Sequence, residues 1–295
     1  MKGIILAAGK GSRLYPMTYE VPKPLLPIYD KPMIYYPFAT LISLGITDIL
    51  IIVDSANKLR YFELFKRFES LGLNISIKVQ HIQRGIADAF IIGEEFIGKD
   101  DVCLILGDNI FCSYDNQWLQ SFRADQFKSG AKVLAYEVHD PQRFGVIEFD
   151  EDGKAISIEE KPENPKSNFI VPGLYQYDNR VSDIARFITP SARGELEITS
   201  VNQHYLNIDS LSVSKVSNVR WYDTGTADSL LEASHHIAQL SYDTIPARAY
   251  VGMPEVEAHR AGLITDQQYL DLIDETSATR YSELMTSYAK SRNII

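Results

Sequence analysis

Short, largely apolar runs recur along the first half of this 295-residue chain, each followed by a longer helix-periodic segment, and that alternation limits the folds open to it. Gly3 to Ala7, Ile49 to Val53, Ile75 to Val79, Val102 to Leu106 and Val133 to Tyr136 read as strands. Met33 to Leu44, Leu59 to Phe68, Ile86 to Phe96 and Trp118 to Lys128 read as helices. Continuous apolar runs suit strands covered on both faces, the pattern of βαβ units around a buried parallel sheet. The expectation is a doubly wound, mostly parallel α/β core.

From about Gly145 strands follow in quick succession: Gly145 to Phe149, Ile156 to Glu160 and Phe169 to Tyr177, with a turn at Glu151-Asp152-Gly153. A β-rich insertion is implied. Helices return at Val181 to Phe187 and Glu197 to Leu206, a strand leads into Trp221-Tyr222-Asp223-Thr224-Gly225, and a helix covers Asp228 to Leu240. Beyond Ser241 a connector through Pro246 and Pro254 precedes polar helices over Thr265 to Ile273 and Ser282 to Lys290. The chain thus divides into a main unit over 1–240, with parts at about 1–137 and 138–225, and a small helical C-terminal appendage over 241–295.

Met1 to Ala8 places one lysine before an apolar run too short for a signal peptide or a membrane span, which points to the cytoplasm and away from membranes. Cys103 and Cys112 form neither a disulfide framework nor a zinc spacing. A net charge of −10 argues against nucleic acid as a partner. Lys10, Arg13 and Lys23 nevertheless cluster in one segment, a local basic site fit for a small polyanion.

That segment, Leu6-Ala7-Ala8-Gly9-Lys10-Gly11-Ser12-Arg13-Leu14, follows a strand directly, and its glycines let backbone N–H groups approach a phosphate. It matches neither the Walker A loop nor the three-glycine dinucleotide fingerprint. Alone, it reads more readily as a glycine-rich turn with solvated Lys10 and Arg13. Prolines 22 and 24 stiffen the backbone around Lys23. Asp108 stands just past the strand Val102 to Leu106, where ligands of open α/β sheets collect, and Asp223 sits at a similar junction. Two hard oxygen donors suit Mg²⁺ better than zinc, although a lone Asp at such a place is more often a turn or cap residue. His235-His236 reads as a solvated pair, and Tyr35 and Tyr36 as packing the start of a helix.

With Pro22-Lys23-Pro24-Leu25-Leu26-Pro27, the glycine-rich stretch resembles the signature of the nucleoside triphosphate:sugar-1-phosphate nucleotidyltransferases, and Tyr29 to Pro37 resembles their thymidylyltransferase branch. The resemblance continues through Ile91 to Gly98, Leu106 to Phe111, Glu159-Glu160-Lys161-Pro162, Gly194 to Thr199 and Asp223-Thr224-Gly225-Thr226. It implies a Rossmann-like core and nucleotidyl transfer from dTTP to glucose 1-phosphate, an early step of deoxysugar or cell-surface polysaccharide biosynthesis. By that resemblance Leu6, Ala8, Gly9, Gly11, Ser12 and Arg13 hold the nucleotide with Asp108, and Arg13 and Lys23 are catalytic. Gln80 and Gly85 read the base, and Asp108 and Asp223 bind Mg²⁺. Gly145, Glu160, Lys161, Gly173 and Arg193 surround the hexose phosphate.

Departures from the branch fall at Ala8, Ser12, Pro24, His81 and Asp88, where glycine, threonine, glutamine, proline and glutamine are usual. They leave UTP or a modified hexose 1-phosphate as alternatives. A non-catalytic sugar-nucleotide-binding regulator and a metal-dependent glycosyltransferase are less favoured, the latter because no Asp-x-Asp pair lies near Asp108. The segment Glu255 to Tyr269 resembles the family's helical end, which implies a homotetramer and a second nucleotide site used for feedback.

Overall fold

The computed structural model describes residues 1–113, 117–242, 250–276 and 278–295. After β1 (Lys2–Ala7), the glycine-rich loop and a short hairpin of β2 (Pro27–Ile28) and β3 (Lys31–Pro32) lead into α1 (Tyr35–Ser43) and β4 (Asp48–Val53). Then come α2 (Lys58–Lys66), β5 (Asn74–Val79), α3 (Asp88–Ile92), α4 (Glu94–Ile97), β6 (Val102–Leu106) and β7 (Ile110–Cys112). The second half runs through β8 (Ala131–Glu137), β9 (Gly145–Phe149), β10 (Ala155–Glu160), β11 (Phe169–Ile170) and β12 (Leu174–Tyr177). It continues with α5 (Val181–Phe187), α6 (Ile198–Asn207), β13 (Leu211–Val216), β14 (Arg220–Tyr222) and α7 (Ala227–Tyr242). Three helices close the chain, α8 (Pro254–Arg260), α9 (Asp266–Asp274) and α10 (Arg280–Ser291).

One large sheet runs in the order β10-β9-β11-β8-β12-β6-β1-β4-β5, with β13 pairing β8 in parallel. β1 lies between β4 and β6, parallel to both, in a register that sets Leu6 opposite Ile52 and Leu106. Ile4, Ile5 and Ala7 are buried on opposite faces of the sheet and join separate clusters, as an all-apolar central strand requires. The phosphate-loop candidate and Asp108 therefore leave neighbouring strands at the same carboxyl edge. β9 to β12 extend this sheet in antiparallel fashion, so the β-rich segment adds strands to the same layer.

Several elements differ from expectation. Phe169 to Tyr177 is two strands, because Pro172 has no N–H to donate and Gly173 gives its N–H to Asn109 Oδ1 at 2.9 Å. Ile86 to Phe96 divides at Gly93, where a Cβ would lie 2.9 Å from Ile4 Cδ1, so the helix rides directly on β1. Trp118 to Lys128 forms no α-helix but short 3₁₀ turns over Gln117–Phe122 and Ala124–Gln126, with Arg123 extended between them and the Ala124 N–H given to Leu44. The connector through Pro246 lies outside the described residues, whereas Pro254 opens a helix.

The C-terminal helices do not stand apart from the core. Met253, Val256, Leu284, Met285 and Tyr288 share one apolar cluster with Phe38 of α1 and Phe65 of α2. Arg67 pairs with the buried Glu255 at 3.1 Å, and the Tyr281 hydroxyl donates to the same carboxylate. Tyr35 and Tyr36 are buried at the start of α1. Both cysteines are buried, and burial pushes the Cys112 thiol up to about 12. No helix of the described residues is long and apolar enough to cross a membrane.

Candidate active site

Two loops converge at the carboxyl edge of β1 and β6. Gly11 adopts φ +60, and a Cβ there would meet Lys23 Cβ at 2.8 Å, so only glycine lets the loop fold down onto Lys23. A 3₁₀ turn over Ser12–Leu14 follows and exposes Arg13 while Leu14 is buried. Lys23, 6% exposed, sits in a second 3₁₀ turn between its two prolines. Its Nζ lies 2.6 Å from Asp108 Oδ2 and donates to the Asp223 carbonyl at 2.9 Å. Residues 85 and 200 positions apart in sequence are thereby joined through one ammonium group.

The two aspartates are held by neighbours that the sequence did not single out. Asn109 donates to Asp108 Oδ1 at 3.0 Å, and its own oxygen accepts from Gly173 N and Trp221 Nε1. Thr224, fully buried at φ +42, donates its hydroxyl to the Asp108 carbonyl at 2.8 Å. A β-branched residue in that conformation is strained, and the tertiary bond holds it there. Arg143 reaches Asp223 Oδ2 at 3.1 Å and Asp140 at 2.8 Å. The hydrogen bond to Asp140 raises its pKa first, with the Asp223 charge adding to it, so it stays cationic. A Cβ on Gly225 would lie 2.8 Å from Arg13 Nη2 and 3.0 Å from Asp223 Oδ2, which puts Arg13 over Gly225 beside that carboxylate.

Leu6, Gly9, Gly11, Ser12, Arg13, Lys23 and Asp108 line one cavity of about 310 Å³. An adjoining cavity of about 750 Å³ is lined by Ala8, Gly9, Lys10, Asp54, Gln80 and Gln83. Its wall is tied together: Gln83 donates to the Ala8 carbonyl at 2.5 Å, and Gln80 Nε2 to Asp88 Oδ2 at 2.9 Å. Gly85 has φ +102, and a Cβ there would lie 2.5 Å from the Leu196 carbonyl oxygen. Leu196 N also donates to Arg84 O, so this loop is clamped to the segment carrying Arg193.

Gly145, Glu160, Lys161 and Arg193 form a third group. Gly145 pairs with Glu160 across β9 and β10, and Glu160 Oε2 accepts from Thr199 Oγ1 at 2.5 Å. Lys161 Nζ is 3.3 Å and Arg193 Nη2 3.4 Å from Glu160 Oε1, with Arg193 also 2.8 Å from Glu197. Burial opposes the charge of Arg193, yet the hydrogen bond to Glu197 and the nearby Glu195 and Glu160 carboxylates raise its pKa overall. Gly173 stands against Asn109 and Leu106, two residues past Val171, whose N–H is given to Gly145 O.

Asp108 offers its carboxylate to the cavity of about 310 Å³, and Asp223 stands beside Gly225 in that cavity's wall, their side chains 34% and 20% exposed. Among the described residues no group of three or more His, Cys, Asp or Glu could enclose a metal. Two carboxylates beside an anion cradle fit Mg²⁺, which keeps several positions for water and phosphate oxygens, and do not fit a tetrahedral zinc cage. His235 is exposed, and His236 is half-buried with its Nδ1 3.1 Å from the Tyr222 hydroxyl. A further cavity of about 620 Å³ shares no lining residue with these two, lies between α1 and 250–263, and includes Thr40, Trp118, Gly252, Glu257 and Arg260.

A triphosphate-sized cradle, a lysine bridging two aspartate segments and a polar pocket on adjoining strands define a phosphoryl-group-transfer site on an α/β sheet. The nucleotidyl transferase family model matches residues 2–240, and the chain belongs to that family. The glucose-1-phosphate thymidylyltransferase of Mycolicibacterium smegmatis is 49% identical over 97% of this chain and 96% of its own length. That of Neisseria meningitidis is 45% identical over 98% and 100%. A solved UDP-glucose pyrophosphorylase in complex with UDP-glucose superimposes with a TM-score of 0.71 at 25% identity, covering 81% of this chain and 98% of that one.

Proposed function

We propose that this protein is a glucose-1-phosphate thymidylyltransferase, transferring the nucleotidyl group of dTTP to α-D-glucose 1-phosphate and releasing pyrophosphate. The observation that carries this reading is Lys23, whose buried ammonium group joins Asp108 and the Asp223 segment at the floor of the glycine-lined cavity. Gly9, Gly11, Ser12 and Arg13 hold the triphosphate, Gln80 and Gly85 the base, and Glu160, Lys161, Arg193 and Gly145 the sugar phosphate. Gly173 closes the sugar side near Asn109.

A phosphate monoester has its second pKa near about 6, so the sugar 1-phosphate arrives with an ionised oxygen and needs no protein base. That oxygen forms a bond to the α-phosphorus while the bond to the β-phosphate oxygen breaks and pyrophosphate leaves with the electron pair. Lys23 and Arg13 offset charge on the phosphate oxygens, and the rigid prolines hold Lys23 without reorganisation during reaction. Asp108 and Asp223 would hold Mg²⁺, which would supply Lewis-acid compensation of the phosphate charge. Arg143 keeps Asp223 oriented and links it to β9, the strand that opens the sugar group. The cavity of about 620 Å³ is where we place the second nucleotide site implied by the resemblance.

A panel of dTTP, UTP, CTP and GTP crossed with glucose, galactose and N-acetylglucosamine 1-phosphates, followed by pyrophosphate release, tests the specificity. The expected result is highest kcat/KM for dTTP with glucose 1-phosphate. Pyrophosphate release confined to UTP or to another sugar would replace dTTP or glucose in the reaction, and tight binding without release would make the protein a regulator.

A further inference from the structure

Resting on that reading, we infer that Asp88 decides which end of the Gln80 side-chain amide faces the base, and that it thereby selects triphosphates whose base presents an N–H at its pairing edge. Asp88 is 1% exposed, a buried carboxylate with no part in the phosphate chemistry. Gln80 is fixed at the end of β5, its N–H donated to Val53 O at 2.9 Å, and its side chain reaches the cavity of about 750 Å³ beside Ala8 and Gly9. The two ends of a glutamine amide are alike in shape and opposite in hydrogen bonding. Shape alone cannot orient it.

Asp88 supplies the missing information. Its Oδ1 accepts from Arg84 Nη2 at 2.6 Å and its Oδ2 from Gln80 Nε2 at 2.9 Å. A carboxylate held by a guanidinium only accepts hydrogen bonds, so the amide nitrogen must face Asp88 and the carbonyl Oε1 is the end left for the cavity. Oε1 accepts no hydrogen bond from the described residues. A carbonyl oxygen in that place accepts the N3–H of thymine or uracil and repels the unprotonated N3 of cytosine.

The chemistry makes a directional prediction for Asp88→Asn. Arg84 retains the side-chain carbonyl, which leaves the new amide nitrogen facing Gln80; Gln80 must then turn its oxygen inward and its nitrogen toward the base. Pyrophosphate release is measured with dTTP, UTP and CTP. The kcat/KM for dTTP and UTP is expected to fall about 10- to 100-fold, mostly through KM, and the dTTP:CTP preference to narrow by at least about 10-fold. Asp88→Leu, which removes the acceptor and offers no donor, is expected to give an intermediate ratio and serves if the Asn variant does not fold. In a Gln80→Ala background, adding Asp88→Asn should leave the ratio unchanged.

An unaltered dTTP:CTP ratio in folded Asp88 variants would overturn the inference, as would an equal shift without Gln80. Should the parent protein release pyrophosphate from none of the triphosphates, the proposed activity fails. The same variants are then compared by calorimetric binding of dTTP and CTP, and the ratio of affinities decides the role of Asp88 alone.

Discussion

Replacing Lys23 with methionine is expected to lower kcat by about 10²- to 10³-fold while the protein stays folded. Methionine keeps the apolar stem that lies against Gly11, and it removes only the charge. That charge links the 3₁₀ turn to Asp108 Oδ2 and to the Asp223 carbonyl, at 2.6 and 2.9 Å. Its loss leaves phosphate charge in the cavity less compensated and separates the two aspartate segments electrostatically. Steady-state pyrophosphate release gives kcat, and thermal melting checks the fold. A kcat within about threefold of the parent would remove Lys23 from the mechanism.

Removing Mg²⁺ should be the next largest effect. Chelation is expected to abolish turnover and added Mg²⁺ to restore it. Asp108→Asn is expected to cut kcat by about 10²-fold and to raise the Mg²⁺ concentration needed for half-maximal rate, because one of the two proposed carboxylate ligands becomes a neutral amide. The variant should keep its fold, since Thr224 is bonded to the main-chain carbonyl of residue 108, which the substitution leaves in place. Measuring rate against Mg²⁺ separates a ligand from a charge that merely neighbours Lys23. An unchanged Mg²⁺ dependence in Asp108→Asn would place the ion elsewhere.

The parallel core was legible because β1, β4 and β6 carry apolar side chains on both faces, a pattern that few other environments demand. The glycine loop was visible as a break after β1, yet its function rested on partners far away in sequence. Arg143 gave no local signal: it reads as an exposed residue after Pro141, and only the fold brings it to Asp223, 80 positions on. Asn109 and Thr224 act through backbone and amide contacts that no spacing rule marks. Asp88 was visible as a departure at the base loop, but its meaning depends on Gln80 and Arg84 closing around it. Among the elements, α8 was hidden by Pro254, which reads as a breaker and here occupies the first turn of a helix. The 3₁₀ turns at 117–126 carry helix-like apolar spacing, while the Ala124 N–H is given to Leu44 instead of to an intrahelical partner.

In the proposed reaction one site, bounded by the glycine-rich loop and by Asp108 and Asp223, moves a nucleotidyl group between two phosphates. Incubating the protein and Mg²⁺ with glucose 1-phosphate and dTTP labelled at the α-phosphate tests it directly. The label is predicted to appear in a dTDP-hexose in equal amount to unlabelled pyrophosphate. Label that stays in dTTP, or is released as dTMP, would contradict it.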